Sequence, residues 1–598
     1  MSKPPPTPLP TPESLDLPET LPYRIKNKLL GPPLNTAELR TERLGLPTAL
    51  GVLAPDPVSS SAYGTEEILR ILVPVVGVAA FTLVLPVTAA IILVLAVVTL
   101  SYRQVVQVYT KAGGSYVVAR DNFGPNIAQI SAVALLIDYT VTVAVQTAAG
   151  TAALVSAVPF LAPYTTAITV FVVVLLGYGN LRGIREAGKS FSLPLYFFIA
   201  ALGSVIIIGL VRVVLGNLPV LPVHAPGAQP LGHPGQGLFL GAGLFFTLQA
   251  FANGGASLTG LEAVSNGVSA FKPPEGVHAR KALAILATIL GCLVMGVSVL
   301  AHFTHAIPYI SGTPTVISQE AKVVFGGGTL GHVLYYLVQL ATLLVLWTGA
   351  NTSFNGFPYL ASFVAEDRFL PRQLTRRGHR LVFSNGIIVL AIVAILLLVA
   401  TRAKVDALIP FYAIGVFTGF TMAGAGMVRH HLRHREGRWR AKLAVNGGAA
   451  VISALVVLIF ASTKFFEGAW LIVVVFPILL VLLIRLHRQY RREQERLQQG
   501  AQRAAEARTL RRHVVLVFVD RLDLATARAL QYARTLNADE LRAVHIVLDA
   551  EEAEVLRERW EQLGIPEEVR LELVDCPSRR LLRDALEVVA EALAAGDT

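Results

Sequence analysis

Long apolar runs recur between about residues 44 and 486, and they restrict the possible folds of this chain more than any other feature. Many of the runs approach the roughly 20 residues that a helix needs to cross the hydrocarbon core of a bilayer. Charged residues make up 15% of the sequence, against about 25% in soluble domains. The pattern predicts an all-α polytopic membrane protein with about twelve transmembrane helices.

The predicted spans divide the chain into four parts. Residues 1–43 are predicted to form a cytoplasmic, largely disordered tail, because residues 1–22 are rich in proline, threonine and leucine. The transmembrane domain (44–486) follows, and a polar, helix-favouring linker (487–512) leads to a C-terminal domain at 513–598. The spans are predicted at residues 45–75, 79–101, 126–157, 163–180, 190–215, 237–268, 282–302, 332–363, 384–401, 406–428, 444–462 and 468–486.

Lysine and arginine are concentrated in every second connection between the predicted spans. Cytoplasmic loops are enriched in these residues, so the pattern predicts a protein of the cell membrane with both termini in the cytoplasm. The same bias accounts for the net charge of +11, and no nucleic-acid partner is expected. Basic runs beside the spans also suit anionic lipid. The alternate connections hold only Lys322, Arg402, Lys404 and Lys464, with Arg212 near a helix end.

The C-terminal domain alternates strand-like and helical patterns. HVVLVFVD, AVHIVLD and VRLELVD have strand composition, and helical patterns follow them at 522–536, 550–563 and 577–594. This alternation indicates a small parallel α/β domain. Neither of the glycine-rich nucleotide motifs, G-x-x-x-x-G-K-[ST] or G-x-G-x-x-G, is present, so nucleotide hydrolysis is not predicted and the protein is not expected to be an enzyme.

Two of the spans are interrupted by polar and helix-breaking residues. The first contains APDPVSSSAYG, and the sixth contains ANGGASLTGLEAVSNG. A broken helix at membrane depth is tolerated only where it is buried in protein or lines a cavity. Interruptions in the first helix of each of two five-helix units are typical of transporters with a 5+5 inverted repeat, the LeuT-like fold, whose binding sites lie at the breaks.

Three acidic residues fall at membrane depth, and each is expected to be functional. They are Asp56 in the first span, Asp138 in the third and Glu262 in the sixth. Carboxylates are costly inside a membrane and mark ion or proton sites, although a structural ion pair is the alternative. An ion or a proton is favoured as their partner, because the well-defined spans carry no Lys or Arg at comparable depth.

Two further side chains lie on the same face of the third span as Asp138. Thr142 and Gln146 follow it at intervals of four residues, which is close to one helical turn. A threonine on an apolar helix often bonds only the carbonyl group of its own preceding turn, but the alignment with Asp138 makes Thr142 a candidate ligand. Tyr412 on the tenth span is a further candidate, with packing as its alternative role.

The residues around the first break favour a small cation as the substrate. Amino-acid permeases of this architecture bind the substrate carboxylate on exposed backbone N–H groups, but Asp56 would repel a carboxylate and its flanking prolines lack N–H donors. Asp56 would instead attract a cation. Ligand type alone does not select potassium over sodium. Hard oxygen ligands, which suit alkali ions, are available from Ser59, Ser60, Tyr63 and Thr259.

Glu66 and Glu67 follow the first break on the outward half of the span. Two locations are compatible with this position. The two carboxylates either line an entry vestibule or lie at the outer membrane interface, and both alternatives remain open at this point.

Five segments resemble the amino acid–polyamine–organocation superfamily and, within it, the KimA-type potassium permeases. KAGGSYVVAR is typical of the superfamily in general, whereas the Asp-x6-Tyr break and LTGLEAVSNG are more discriminating. The resemblance extends over nearly the whole chain beyond the N-terminal tail. The segments are APDPVSSSAYGTEEIL, KAGGSYVVAR, DYTVTVAV, ASLTGLEAVSNG and IPFYAIGVF.

The resemblance implies potassium uptake driven by a proton gradient, a homodimer, and inhibition by cyclic di-AMP through a universal-stress-protein-like C-terminal domain. It implies no cofactor beyond the transported potassium ions and protons. Glu262 becomes a candidate for proton coupling. Gln146 replaces a small hydroxyl residue of the family pattern, and its amide oxygen is also a possible ion ligand. The matching ion-site positions are Asp56, Tyr63, Asp138, Thr142, Thr259 and Tyr412, with Asp56, Tyr63, Asp138 and Thr259 as the potassium site itself.

Two other functions are compatible with the sequence. An amino-acid or organic-amine permease is one, since a polyamine would also be attracted by Asp56 and Glu262. A sensor without transport activity, with the α/β domain as its output, is the other.

Overall fold

The computed structural model of the chain describes residues 28–30, 43–110, 113–183, 188–235, 237–378, 382–506, 512–562, 569–576 and 581–594. Most of the predicted disordered tail (1–43) lies outside these residues, as do the end of the predicted linker (507–511) and the start of the last predicted helix (577–580). The chain forms two compact units, Met1–Arg491 and Arg492–Thr598, which are described separately.

The first unit is helical, and its last helix continues past Arg491. Helices α1 to α17 have the following bounds: α1 Leu46–Leu53, α2 Pro55–Ser59, α3 Gly64–Val76, α4 Ala80–Val108, α5 Gly114–Phe123, α6 Pro125–Ala157, α7 Thr165–Leu181, α8 Gly188–Val214, α9 Gly243–Gly255, α10 Leu261–Asn266, α11 Glu275–Thr304, α12 Val316–Phe325, α13 Thr329–Glu366, α14 Ser384–Thr401, α15 Val405–Arg433, α16 Trp439–Thr463 and α17 Ala469–Glu506.

Ten helical stretches among the described residues are long and apolar enough to cross a membrane. The chain is therefore a mostly helical, multi-pass membrane protein, as the apolar runs predicted. The ten differ from the twelve predicted spans for two reasons. Pro55–Val108, with 54 residues, counts as one stretch, and the interrupted sixth span divides into α9 and the shorter α10.

Helix α6 lies at the centre of the first unit. The most apolar 18-residue stretch of α6 is 83% buried inside the protein. The helix packs against α5, α7, α13 and α15. A helix that is apolar on all sides needs neighbours on all sides, which explains this central position. Polar side chains on α6, including Asp138 and Gln146, are consequently enclosed by protein.

The first interruption falls where the prolines predicted it. Helix α1 ends at Leu53, and Pro55 begins the short helix α2, where its missing N–H costs no hydrogen bond. A 3₁₀ turn (Ser60–Ala62) follows, and α3 begins at Gly64. The chain keeps right-handed helical dihedral angles through much of this segment, so the first span is divided and distorted rather than fully unwound.

The second interruption is more open. After α9 and a 3₁₀ turn at Ala256–Leu258, Thr259 is extended (φ −69°, ψ 163°). Gly260 then takes a left-handed conformation (φ 80°) before α10 begins. Left-handed backbone is readily adopted only by glycine, so Gly260 is what allows the chain to re-enter a helix immediately after the break.

The second unit contains the predicted α/β domain. Strands β1 (Val514–Phe518), β2 (Glu540–Val547) and β3 (Val569–Asp575) are parallel and are ordered β1-β2-β3. Helices α18 (Leu524–Thr535), α19 (Ala550–Gln562) and α20 (Leu581–Ala594) follow them in turn. Ala543 and Val544 of the central strand are completely buried, as expected for the middle strand of a covered parallel sheet.

Candidate functional site

Asp56 is buried at the first interruption, and Gln146 on α6 holds its carboxylate. The Nε2 atom of Gln146 donates to Asp56 Oδ1 (2.9 Å) and to the Asp56 carbonyl oxygen (3.1 Å). Ser59 Oγ lies within 2.7 Å of Gln146 Oε1 and 2.9 Å of the Asp56 carbonyl oxygen. The amide of Gln146 therefore presents its nitrogen to Asp56, whereas the sequence suggested its oxygen as an ion ligand.

The serine hydroxyl groups of the first interruption satisfy backbone carbonyl oxygens. Ser60 Oγ donates within its own turn to the Pro57 carbonyl oxygen (2.6 Å), and Ser61 Oγ donates to that of Val58 (2.7 Å). Ser60 Oγ also lies 2.6 Å from the Ser257 carbonyl oxygen. Ser60 thus joins the two interruptions directly, in addition to any role as an ion ligand.

A chain of hydroxyl groups connects α6, α15 and the second interruption. Tyr412, which is fully buried, donates from its hydroxyl group to Thr259 Oγ1 (2.5 Å). Thr142 Oγ1 lies 3.2 Å from the Tyr412 hydroxyl oxygen and 3.4 Å from Asp138 Oδ1. The structure therefore brings together Asp138, Thr142, Thr259 and Tyr412, although Thr142 and Tyr412 alone are 270 positions apart in the sequence.

Tyr63 and Gly260 complete the surroundings of Asp56. The Tyr63 hydroxyl group is buried, faces Thr259 and Tyr412, and has no hydrogen-bond partner among the described residues. A Cβ atom built on Gly260 would lie 2.7 Å from Asp56 Oδ2. The second carboxylate oxygen of Asp56 therefore faces the open backbone of the second interruption.

The site is anionic and rich in oxygen atoms. Asp56, Asp138 and Glu262 form no ion pair with Lys or Arg in the described part of the chain. Arg70, a basic residue within the predicted first span, pairs instead with Glu66 and Glu67. Buried carboxylates are stabilised by cations or protons, so this arrangement can hold a desolvated cation between the two interruptions.

Glu262 is buried in the second interruption, and its two carboxylate oxygens have different surroundings. Its Oε1 atom accepts a hydrogen bond from the backbone N–H of Ser115 (2.9 Å), at the start of α5. Its Oε2 atom is buried without a hydrogen-bond partner among the described residues, and so are the hydroxyl groups of Ser115 and Tyr102. An added Cβ on Gly419 would lie 2.9 Å from Glu262 Oε2, so a glycine on α15 leaves room for this carboxylate.

Sequence reasoning missed Tyr102, Ser115 and Gly419 as neighbours of Glu262. A signal for Ser115 was present in KAGGSYVVAR, since two glycines before a serine indicate a tight approach of backbone to another group. The close approach occurs at Gly114, where an added Cβ atom would lie 3.0 Å from Glu262 Oε1. No local pattern indicated Tyr102 or Gly419.

A cavity of about 570 Å³ begins beside Tyr63 and is lined by charged residues of α3 and of the segment before α15. Glu66 and Glu67 line it and are ion-paired with Arg70 at 3.1 and 3.4 Å. Lys404, just before α15, and Asp406, in its first turn, also line the cavity. The structure thus places Glu66 and Glu67 in the lining of a cavity that reaches Tyr63, which is one of the two locations left open by the sequence.

Helix α12 forms a hydrogen bond with Glu66, one of the residues that line this cavity. The N–H of Val316, its first residue, donates to Glu66 Oε2 (3.1 Å), and Thr315 caps the helix by accepting from Ser318 N. Glu320 on α12 is completely buried, and neither of its carboxylate oxygens has a hydrogen-bond partner among the described residues. Burial raises the pKa of Glu320 well above its usual value of 4.5.

Replacing Glu320 by glutamine should flatten the pH dependence of stability. The folded protein holds the Glu320 proton more tightly than the unfolded chain does. The contribution of this proton to the free energy of unfolding is therefore fully present below pH 4.5. It falls as pH rises towards the raised pKa, by at most about 1.4 kcal/mol per pH unit. Melting temperatures measured across this range should fall less in Glu320→Gln than in the wild type. The exposed Glu366→Gln serves as the control, and parallel curves for all three proteins would contradict the prediction.

Comparisons with known proteins agree with this architecture. A family model described as "Amino acid permease" matches residues 48–484, and one described as "KimA potassium transporter C-terminal domain" matches residues 511–597. The potassium transporter KimA of Bacillus subtilis (strain 168) is 36% identical over 542 residues, which cover 91% of this chain and 86% of that protein. These matches confirm the resemblance found in the sequence. The chain therefore belongs to the amino acid permease family, as a KimA-type transporter rather than an enzyme.

Proposed function

We propose that the protein imports potassium ions as a secondary active transporter, by proton symport and alternating access to a site between the two helix interruptions. Asp56 carries this proposal. It is a buried carboxylate with no basic partner among the described residues, and the buried hydroxyl groups of Ser59 and Tyr63 belong to the same interruption. The name of the similar Bacillus subtilis protein supports potassium as the ion.

We further propose twelve membrane crossings arranged as a 5+5 inverted repeat. Pro55–Val108 would be about 80 Å long as a straight helix, more than twice the roughly 30 Å of the hydrocarbon core. It therefore accounts for two crossings, with the change of direction at Gly77 (φ 57°). Helices α9 and α10 together account for one more, so that α1 and α9 begin the two five-helix units.

Orientation follows from the distribution of basic residues. The segment that holds α12 belongs to the connections that are poor in Lys and Arg, and it lines the cavity through Ser311, Thr313 and Thr315. Under the positive-inside rule this cavity opens outside the cell, and both termini lie in the cytoplasm. Ions would enter past Glu66 and Glu67 and reach Tyr63 at the site. The first, second, sixth and seventh spans would move against the remaining helices to open the inner side.

Glu262 is proposed to couple ion movement to a proton. It follows the second interruption by two residues, and its Oε2 atom is buried without a partner in the described structure. When this buried carboxylate accepts or releases a proton, the charge next to the proposed ion site changes. Proton binding at the second interruption would in this way be linked to ion binding. The Ser115 N–H holds the carboxylate in place in either protonation state, because Oε1 remains an acceptor.

Glu262→Gln should uncouple uptake from the proton gradient. Glutamine keeps an oxygen acceptor for the Ser115 N–H but cannot exchange a proton at this position. In proteoliposomes, an inwardly directed proton gradient should accelerate ⁸⁶Rb⁺ uptake by the wild type and leave the variant unaffected. Glu275→Gln, at the start of α11 and away from the site, should respond like the wild type. A variant that still responds fully to the gradient would remove Glu262 from the coupling step.

Uptake of ⁸⁶Rb⁺, a tracer for potassium, by wild-type proteoliposomes tests the transport function itself. Unlabelled potassium should suppress uptake, and amino acids or spermidine at the same concentration should not. Competition by spermidine would favour the organic-amine permease, which the carboxylates Asp56 and Glu262 would also suit. Absence of any uptake from correctly inserted protein would favour the sensor.

Three partners are proposed in addition to the ions. The match of the C-terminal domain to a KimA domain model supports a regulatory role for the second unit, with cyclic di-AMP as the proposed ligand of this universal-stress-protein-like domain. A homodimer is proposed on the same resemblance. The basic residues beside the cytoplasmic ends of the helices would bind anionic lipid.

A further inference from the structure

Gln146 occupies one of the positions next to Asp56 at which oxygen atoms converge and a cation could bind. Its Nε2 atom is close to two oxygen atoms of one residue, Asp56 Oδ1 at 2.9 Å and the Asp56 carbonyl oxygen at 3.1 Å. An alkali ion seeks the same kind of environment, namely carboxylate and carbonyl oxygens that converge on one point. An amide NH₂ group and an ion cannot share that point.

The hydrogen bonds of Gln146 determine which end of its amide faces Asp56. With Nε2 towards Asp56, the amide donates to two acceptors, while Oε1 lies 2.7 Å from the Ser59 hydroxyl group. The reverse orientation would place Oε1 against a carboxylate oxygen and a carbonyl oxygen, neither of which can donate. The observed orientation is therefore the favourable one when no ion lies between these groups.

Close packing prevents the Gln146 side chain from turning away. The residue is completely buried. Gly349 of α13 lies directly against the amide, since a Cβ added to it would be 3.0 Å from both Gln146 Oε1 and Ser59 Oγ, and 3.2 Å from Asp56 Cα. Three helices thus meet at this amide, and the Gln146 side chain cannot turn towards α13 without moving that helix.

We propose that Gln146 replaces one cation in the site and so sets how many ions the protein binds. Asp56 Oδ1 and the Asp56 carbonyl oxygen are used by the amide, so an ion at Asp56 must bind through Oδ2, on the side of Gly260. This inference rests on the proposed cation transport. A small side chain at position 146 would release both oxygen atoms and create room for an additional ion next to them.

The number of bound ions distinguishes this role from a structural one. Equilibrium binding of ⁸⁶Rb⁺ to the purified full-length protein should show one ion more per chain in Gln146→Ser than in the wild type, alongside melting curves that confirm folding. Thr147→Val is the matched control: it removes a hydroxyl group on the next residue of α6, which donates only to carbonyl oxygens of its own helix. Its ion count should equal that of the wild type.

Gln146→Ala provides a second measurement if the serine variant is unstable. Alanine also removes the amide and leaves Asp56 Oδ1 and the Asp56 carbonyl oxygen free to bind an ion. The melting temperature of Gln146→Ala should rise more with potassium chloride than with the bulky organic salt N-methyl-D-glucamine chloride, and by a larger margin than that of the wild type does. Equal ion counts in the wild type and Gln146→Ser, or an equal response to potassium of the wild type and Gln146→Ala, would overturn the role of Gln146. If the wild type showed no ⁸⁶Rb⁺ uptake in proteoliposomes, that result would instead reject the proposed function.

Discussion

Asp56→Asn is expected to abolish potassium uptake while leaving the protein folded. A pair of unit charges 4 Å apart is worth about 4 kcal/mol at an effective dielectric constant of about 20, which corresponds to roughly a thousandfold in affinity. The asparagine side chain keeps an oxygen that accepts from Gln146 Nε2, so the hydrogen bond between α2 and α6 is preserved. Uptake of ⁸⁶Rb⁺ into proteoliposomes measures the loss, and a melting curve checks the fold.

Ser61→Ala is a suitable control for this variant. Ser61 lies in the same interruption and is equally buried, but its hydroxyl group donates to the Val58 carbonyl oxygen within its own turn. The control should therefore retain most of the uptake. Potassium uptake by Asp56→Asn at the level of the control would show that the ion binds elsewhere.

Gly260→Ala is expected to lower both stability and uptake strongly. Gly260 has φ 80°, and a non-glycine residue in this left-handed region costs roughly 1–2 kcal/mol. The added methyl group would also lie 2.6 Å from Pro57 Cδ and 2.7 Å from Asp56 Oδ2. Relieving this overlap would require the two interruptions to separate, at a further cost of about 1–3 kcal/mol, and Asp56 would move away from Thr259.

Gly216→Ala is a control that separates the effect of backbone strain from the effect of the steric overlap with Pro57 and Asp56. Gly216 has a similar φ of 68°, and a Cβ atom added there would meet nothing within 4 Å. This variant should therefore lose stability through strain alone and keep its uptake. If Gly260→Ala behaved like Gly216→Ala in both measurements, the close contact between the two interruptions would not be needed for transport.

Much of the architecture could be predicted because its causes are local. The length of the apolar runs follows from the thickness of the hydrocarbon core, and Pro55 divides the first span through its missing N–H. The alternation of strands and helices beyond residue 513 was equally clear, and the three parallel strands confirm it. The sequence also identified Asp56, Asp138 and Glu262 as buried acids, and the structure places all three inside the protein.

The partners of these acids were less predictable. Gln146 was considered as an oxygen ligand, but its nitrogen faces Asp56 across 90 positions of the sequence. The serine hydroxyl groups of the first interruption were considered as ion ligands, and they also satisfy carbonyl oxygens of their own turns. Glu262 receives its hydrogen bond from a backbone N–H 147 positions away. Such contacts depend on which helices become neighbours.

The sequence by itself determined that this chain crosses a membrane, where two of its helices are interrupted, and which acids lie at depth. Hydrocarbon thickness and backbone hydrogen bonding impose these features on each segment independently. Only the tertiary structure decided that Gln146 binds Asp56, that Tyr412 binds Thr259, and that Gly260 allows the two interruptions to touch. These contacts come from the packing of helices distant in sequence, whose geometry no local pattern specifies.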